Sequence, residues 1–291
     1  MFQAPNGTGL GHVNRLMAIA LAIRAREPDA ILPFVLFGGG QSLLKTASLP
    51  YITLPHGSLL LKKEGYTDWG TAIVSDAARS IIHGWGPELI VFDTIPCLPF
   101  MATAAKMKVP MALCARSTKD TETYFDWVLE HESLLDLIII PHEPGEIVVP
   151  DRLISRVRFV GNIVRLPAPT SNRASSGSRQ LVITGGGGGY PRTVDFYNLA
   201  LEAYARYRRK DPHLECVLVA GPLFEDWWDL QVTDGVRVIP AEPQMRELMT
   251  AADLVICQGG YNTVSEVSQL GLPSICVPGM RDLDDQVRAR S

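Results

Sequence analysis

The stretch from Ala251 to Gln286, AADLVICQGGYNTVSEVSQLGLPSICVPGMRDLDDQ, constrains the fold more than any other part of the chain. Leu254 to Cys257 is a short apolar run with β-branched residues, suited to a buried parallel strand. Gly259 and Gly260 then permit a tight turn and close approach of a ligand to the backbone. The pattern predicts a helix that starts near Asn262 or Thr263 and stops at Gly271, with Pro273 just beyond. Ser274 to Val277 is the next strand. A helix N-terminus behind a glycine turn offers unpaired N–H groups and the positive end of a dipole, which suits a phosphate. A local alternative stands beside this one. Thr263-Val264-Ser265-Glu266 also fits the capping-box pattern, in which Glu266 only caps the helix.

The rest of the chain repeats the alternation. Met1 to Pro5 reads as the end of a strand. It leads into Asn6-Gly-Thr-Gly-Leu-Gly-His12, whose glycines leave room for a ligand but miss the G-x-G-x-x-G dinucleotide spacing by one residue. Val13 to Arg26 has a helical apolar stripe. Ile31 to Phe37, Tyr51 to Leu54, Glu88 to Phe92 (ending at Asp93), Val109 to Cys114, Leu137 to Ile140 and Val157 to Val160 read as strands. Thr71 to His83 and Pro96 to Met107 read as helices, and His56 to Trp69 as a surface loop. Arg165 to Ser178, RLPAPTSNRASSGS, has linker composition. It divides the chain into a domain over 1–164, a linker over 165–178 and a domain over 179–291. In the latter, Arg179 to Thr184, Glu215 to Ala220 and Gly235 to Ile239 are strands. Arg192 to Arg209 and Met245 to Thr250 are helices. Strands alternating with helices mean an α/β parallel sheet.

Composition removes several classes. At 291 residues two domains are favoured over one. A net charge of −4 gives no electrostatic case for nucleic acid. No apolar run approaches the roughly 18 residues of a membrane span, and no signal peptide is visible. Cys97, Cys114, Cys216, Cys257 and Cys276 show no C-x-x-C spacing and read as thiols in a reducing compartment, not as a disulfide or zinc framework. A cytoplasmic location is the expectation that follows.

Three features carry candidate chemistry, each with a plain structural alternative. Gly185 to Gly189 is a run of five glycines between a strand and a helix. It is either a flexible loop or a place where the amides of Gly186, Gly187, Gly188 and Gly189 hold a diphosphate. His12 alone reads more readily as a helix-cap or surface residue than as a base. Asp93, at the end of a strand, serves equally well as an N-cap ahead of Pro96. Asp282-Leu-Asp284 is a D-x-D string. It merges into Asp285-Gln286 and is not read as a metal site. Trp227 and Trp228 read as packing or surface residues.

Taken together, the ADLVI strand, its glycine turn, N-T-V-S-E, L-G-L-P, a strand ending in proline and D-Q resemble the nucleotide-sugar signature of GT-B glycosyltransferases. Within that fold the chain is similar to the group containing the peptidoglycan-precursor N-acetylglucosamine transferases and the related antibiotic and UDP-sugar transferases. The resemblance covers the last third strongly and the first forty residues moderately. It implies two Rossmann-like, doubly wound domains facing a cleft, with the acceptor and a histidine base, His12, in the first. Asp93 would orient His12, and Gly9, Gly11 and Arg15 would belong to the acceptor loop. The second domain would bind a nucleotide-sugar, UDP-linked by the resemblance. The residues implied are Gly186, Gly187, Gly188, Gly189, Gly259, Gly260, Asn262 and Thr263, with Glu266 on the ribose. Ala241 and Glu242 would sit at the base, and Asp285 and Gln286 on the donor sugar.

The expected activity is transfer of a sugar to a hydroxyl with inversion, without a cofactor and without an obligatory metal. The partners implied are the nucleotide-sugar donor and a small-molecule or lipid-linked acceptor; peripheral membrane association is compatible with them. Relatives continue through a helix that crosses back to the first domain, so the resemblance also implies a truncated second domain. G-L-G-H-V-N-R further resembles the UDP-sugar hydrolase of pseudaminic acid biosynthesis. A hydrolase, or a non-catalytic nucleotide-sugar-binding subunit, is therefore the alternative.

Overall fold

The computed structural model describes residues 1–5, 9–62, 65–165, 179–242 and 244–279. The chain divides into two compact units, Met1–Arg165 and Leu166–Ser291. The linker expected over 165–178 lies, apart from Arg165, outside the described residues.

The first unit runs β1 (Phe2–Pro5), α1 (Gly11–Arg26), β2 (Phe34–Phe37), α2 (Gln41–Thr46), β3 (Tyr51–Leu54), α3 (Gly57–Leu60), β4 (Leu61–Lys62), β5 (Gly65–Tyr66), α4 (Asp68–Trp85), β6 (Ile90–Asp93), α5 (Leu98–Lys106), β7 (Met111–Cys114), α6 (Thr121–Glu130), β8 (Leu137–Ile140) and β9 (Val157–Phe159). Seven strands form one sheet in the order β3-β2-β1-β6-β7-β8-β9. Every pairing in it is parallel. Side chains alternate across a strand, so each short apolar run serves two cores. Phe34 and Leu36 of β2 pack on one face with Leu16 of α1. Val35 and Phe37 pack on the other, with Val74 of α4 and Phe100 of α5. The chain winds outward from β1 to β3, then returns to β6 beside β1 and winds the other way. The switch point of this doubly wound sheet therefore lies between β1 and β6, where ligands of such sheets sit.

The loop expected over His56 to Trp69 is a correction. This segment holds α3, the antiparallel β4–β5 ribbon and the first turn of α4. Thr67 caps α4, its hydroxyl accepting from the Gly70 amide at 3.0 Å. That is the local signal the polar composition obscured. Helix α6 is an element the alternation of apolar runs did not reveal. Asp120 caps it by accepting from the Thr123 amide at 3.1 Å, and only Phe125 and Val128 are buried.

The second unit runs β10 (Gln180–Thr184), α7 (Thr193–Arg208), β11 (Glu215–Val219), β12 (Val236–Ile239), α8 (Met245–Ala251), β13 (Leu254–Gln258), α9 (Tyr261–Leu270) and β14 (Ser274–Val277). Its sheet is parallel throughout, in the order β12-β11-β10-β13-β14, so the switch point lies between β10 and β13. Leu181 and Ile183 face a core with Tyr197 and Tyr204 of α7. Val182, between them, faces Met249 and Val267 on the other side. Gly271 ends α9 in the left-handed region at φ 60°, the usual place for glycine after a helix.

Candidate functional site

Each unit brings most of its described candidate residues to its own switch point. In the first, α1 begins directly after the glycine loop that follows β1. His12 and Arg15 stand three residues apart, on one face of the helix. Both reach Asp93, the last residue of β6. His12 Nδ1 lies 2.6 Å from Asp93 Oδ2. The Arg15 guanidinium donates from one nitrogen to both carboxylate oxygens, at 2.9 and 3.0 Å. Asp93 is fully buried and the Arg15 side chain is 2% exposed, while the His12 side chain keeps 15% of its surface. The dyad thus presents its histidine outward and its carboxylate inward.

Burial alone would drive the Asp93 carboxyl upward. Arg15, the His12 hydrogen bond and the more distant Arg116 outweigh it, and the net shift is downward. Asp93 is therefore an anion that only accepts. His12 Nδ1 is accordingly the donor in the contact between them. The competing role of Asp93 as an N-cap is overturned. Cys97, not Asp93, precedes α5, and no side chain caps that helix.

Buried polar residues that the sequence did not single out follow Asp93 and the neighbouring strands β7 and β8. Thr94 follows Asp93 with φ 52° and is fully buried. A non-glycine residue in that region is strained, and such strain gathers at functional sites. Its carbonyl accepts from the Tyr124 hydroxyl of α6 at 2.8 Å. Arg116, just after β7, is 5% exposed and acts on Asp93 by charge. His142, after β8, is 2% exposed; its Nε2 accepts from the Ser117 amide at 3.0 Å, and its Nδ1 lies 3.2 Å from Glu146. The one signal available for Arg116 was a charge placed immediately behind an apolar strand. Of the acceptor-loop residues, Gly9 and Gly11 flank the start of α1, and Arg15 is turned into the dyad.

In the second unit the glycine loop follows β10 and is packed, not loose. Gly186 and Gly188 have φ 73° and 81°. A Cβ on Gly188 would meet the Ala220 carbonyl at 2.3 Å, and one on Gly221 would meet the Gly186 carbonyl at 2.4 Å. The turns after β10 and β11 therefore interlock through bare backbone. The Gly185 amide donates to the Tyr197 hydroxyl and the Gly186 amide to Thr184 Oγ1. The N–H of Gly186, one of the expected set, is thus engaged within the protein. The amides of Gly187, Gly188 and Gly189 make no hydrogen bond among the described residues.

Beside that loop, β13 ends at Gln258 and turns through Gly259 and Gly260 into α9. Gly260 is the N-cap, and among the described residues no side chain caps the helix. Thr263 is its third residue and Glu266 its sixth, so the capping-box alternative fails. A capping box needs the Thr ahead of the helix and the Glu in its first turn. Thr263 Oγ1 lies 3.4 Å from the position a Gly186 Cβ would take, which joins the first turn of α9 to the glycine loop. Gln258, 4% exposed at the end of β13, is a further residue the sequence did not reveal.

Ala241 and Glu242 follow β12, two strands from β10, or about 10 Å across the sheet. Glu242 Oε1 there accepts from the Gln244 amide at 2.8 Å. Asp282, Asp284, Asp285 and Gln286 lie outside the described residues. Trp227 packs edge-on to Phe224 at 4.9 Å, and Trp228 is 99% exposed. Cys257 and Cys276, paired across β13 and β14, bring their sulfurs to 3.4 Å. The Cys257 hydrogen bond, working against burial, pulls the Cys276 thiol down to about 6. Among the described residues no helix is long and apolar enough to cross a membrane.

Residues 181–289 match the Glycosyltransferase family 28 C-terminal domain. The chain is 26% identical over 294 residues to the UDP-N-acetylglucosamine--N-acetylmuramyl-(pentapeptide) pyrophosphoryl-undecaprenol N-acetylglucosamine transferase of Acetivibrio thermocellus, an alignment covering 94% of this chain and 76% of that one. Among solved structures, the spinosyn forosaminyltransferase SpnP superposes with a TM-score of 0.66 at 15% identity, over 99% of this chain and 80% of that one. The UDP-GlcNAc 2-epimerase from Neisseria meningitidis, bound to UDP-GlcNAc, superposes with a TM-score of 0.61 at 14% identity, over 99% of this chain and 84% of that one. These likenesses to solved structures establish the architecture, which transferases and epimerases share. The second unit thus carries a match to the glycosyltransferase family 28 C-terminal domain, and the chain is a glycosyltransferase of the GT-B fold.

Proposed function

We propose that the protein transfers a sugar from a UDP-sugar to a hydroxyl acceptor with inversion, using His12 as general base. The observation that carries this reading is the 2.6 Å contact between His12 Nδ1 and the buried Asp93. An alcohol is a poor nucleophile until a base takes its proton. A histidine held by Nδ1 has Nε2 available for that task. Asp93 orients the ring and stabilises the imidazolium that forms. On the donor side, the amides of Gly187 to Gly189 and the N-terminus of α9 supply the positive ends that a leaving diphosphate requires. Glu266 is assigned to the ribose, Gly259, Gly260, Asn262 and Thr263 to the turn around the phosphates, and Ala241 and Glu242 to the base. Asp285 and Gln286 are assigned to the donor sugar by resemblance.

A diphosphate held by amides needs no cation, so the reaction is expected to run without a cofactor or metal; activity should persist in EDTA. The named relative acts on an undecaprenol-linked acceptor, which supports a lipid-linked acceptor here; a cytoplasmic setting and peripheral membrane association are part of the same proposal.

The test is UDP release with and without alcohol acceptors, in heavy-oxygen water. Release accelerated by an acceptor, which then appears glycosylated, is the expected result. Rapid acceptor-free turnover that places solvent oxygen in the sugar would mean a hydrolase and end the proposal. His12→Ala should lower turnover by roughly 10²–10⁴, the contribution of a positioned base, and leave UDP affinity nearly intact.

A further inference from the structure

We propose that Cys257 and Cys276 form a redox modification site, at which a peroxide joins the two thiols in a reversible disulfide between β13 and β14. The two residues are register partners in a parallel strand pair. Register partners point to the same face of a sheet. Here both pack into the core that holds Met249 of α8 and Val267 of α9. Neighbouring strands run about 4.8 Å apart, inside the Cα separation of about 4.4–6.8 Å that a disulfide spans. The backbone therefore already meets the demand of the bond. The sulfurs, 3.4 Å apart, need only close to about 2.0 Å.

The remaining cysteines supply the contrast. Cys97, Cys114 and Cys216 are buried elsewhere in the fold, and burial pushes each thiol up, that of Cys216 to about 12. Cys276 is only half-buried, and its hydrogen bond with Cys257 draws its thiol the other way. Cys257 is fully enclosed. An attacking sulfur must be a thiolate that solvent can reach, whereas a resolving sulfur needs only to lie beside it. The pair meets both conditions at once. Where thiols are kept reduced, such a pair rests open and closes only under oxidant.

The chemistry balances with hydrogen peroxide as oxidant. The Cys276 thiolate attacks one peroxide oxygen. An S–O bond forms, the O–O bond breaks, and the departing hydroxide takes up the proton given off by Cys276 and leaves as water. The Cys257 sulfur then attacks the sulfenic sulfur of Cys276. An S–S bond forms, the S–O bond breaks, and the second oxygen leaves as water with the Cys257 proton. Two thiols lose two hydrogens in all, and one peroxide becomes two waters. A dithiol reductant reverses the bond by exchange. Cys257 stands directly ahead of Gln258 and Gly259, so the bond ties β14 to the strand that feeds the turn into α9. The inference is independent of which residues hold donor and acceptor.

The experiment exposes the folded full chain to hydrogen peroxide, blocks the remaining thiols with an alkylating agent in denaturant, and reads intact mass and peptides. Cleavage after Glu266 separates the two cysteines unless a bond joins them. The expected product has lost two hydrogens, is alkylated at Cys97, Cys114 and Cys216, and yields a linked Cys257–Cys276 peptide pair; dithiothreitol reverses it. With limiting alkylating agent and no peroxide, Cys276 should react at least roughly tenfold faster than those three, as its larger thiolate fraction requires. Cys257→Ser should stop at a sulfenic acid on Cys276, trapped by dimedone, and Cys276→Ser should form neither product. Wild-type protein decides the matter where a variant fails to fold. Folded wild-type protein that stays reduced under peroxide, or whose Cys276 passes to sulfinic acid without the linked pair, overturns the inference. A sulfenic acid on Cys257 in Cys276→Ser would overturn the assignment of the attacking sulfur.

Discussion

Glu266 shows how a single position changes meaning once its place in a helix is known. In the sequence, T-V-S-E is a capping box as readily as part of a binding motif. The structure puts Thr263 third and Glu266 sixth in α9, behind an N-cap, Gly260, that offers no side chain. A carboxylate at that depth caps nothing, and Glu266 is half-buried on a helix whose first turn meets the glycine loop. Glu266→Ala should weaken UDP binding by about 1–3 kcal/mol, the loss expected for a hydrogen bond to a charged group. Titration calorimetry of the two proteins measures this directly. Unchanged UDP affinity in a normally folded variant would remove Glu266 from the donor site. Asp93 changed meaning in the same way. Its capping role was open in the sequence because the pairing partner, His12, lies 81 residues away in the chain, and no local pattern reports a contact of that range.

At the scale of elements, the strands were legible because a parallel strand buried on both faces must be an uninterrupted apolar run. The runs at β6, β7, β10, β11 and β13 are such cases, and their ends fall within two residues of the boundaries expected from sequence. Helix α6 was not legible. It buries only two residues, so its apolar stripe is too thin to give a period. The ribbon β4–β5 was missed for a related reason: strands of two residues carry no alternation. The glycine loop was legible in place but not in character. Its glycines were read for flexibility and ligand approach, whereas the structure adds a packing cause, the interlock with the turn holding Gly221. That cause is testable by contrast. Gly221 has φ 91°, and a Cβ there would enter the Gly186 and Gly187 backbone, while Gly271 has φ 60° with nothing within 4 Å. Gly271→Ala should cost about 1–2 kcal/mol, the strain of the left-handed region alone. Gly221→Ala carries that strain and a backbone collision, so its loss of stability in denaturant unfolding should be clearly the larger. Equal losses would show that the two turns do not depend on bare backbone contact.

The whole molecule consists of two units, each with a sheet covered on both faces by its own cores. Each also has its own switch point, and the two switch points carry different chemistry. A titratable dyad sits at the first, and backbone amides with a helix N-terminus sit at the second. This division predicts how a ligand should act on stability. A unit with independent cores has the means to unfold as a cooperative block of its own, so calorimetry should resolve two transitions. A ligand that binds only one folded block stabilises that block by RT ln(1 + [L]/Kd), about 2.7 kcal/mol at a hundredfold excess over Kd. UDP should therefore raise the midpoint of one transition and leave the other in place. Glu266→Ala should diminish that rise at a fixed UDP concentration, because its Kd is larger. His12→Ala should retain it in full, because the dyad belongs to the other unit. Assignment of the shifted transition follows from Gly221→Ala, which lowers the midpoint of the block it belongs to. If UDP moved the transition that Gly221→Ala leaves untouched, the donor would be held by the first unit, and the assignment of Gly187 to Gly189 and Glu266 to the nucleotide would have to be given up.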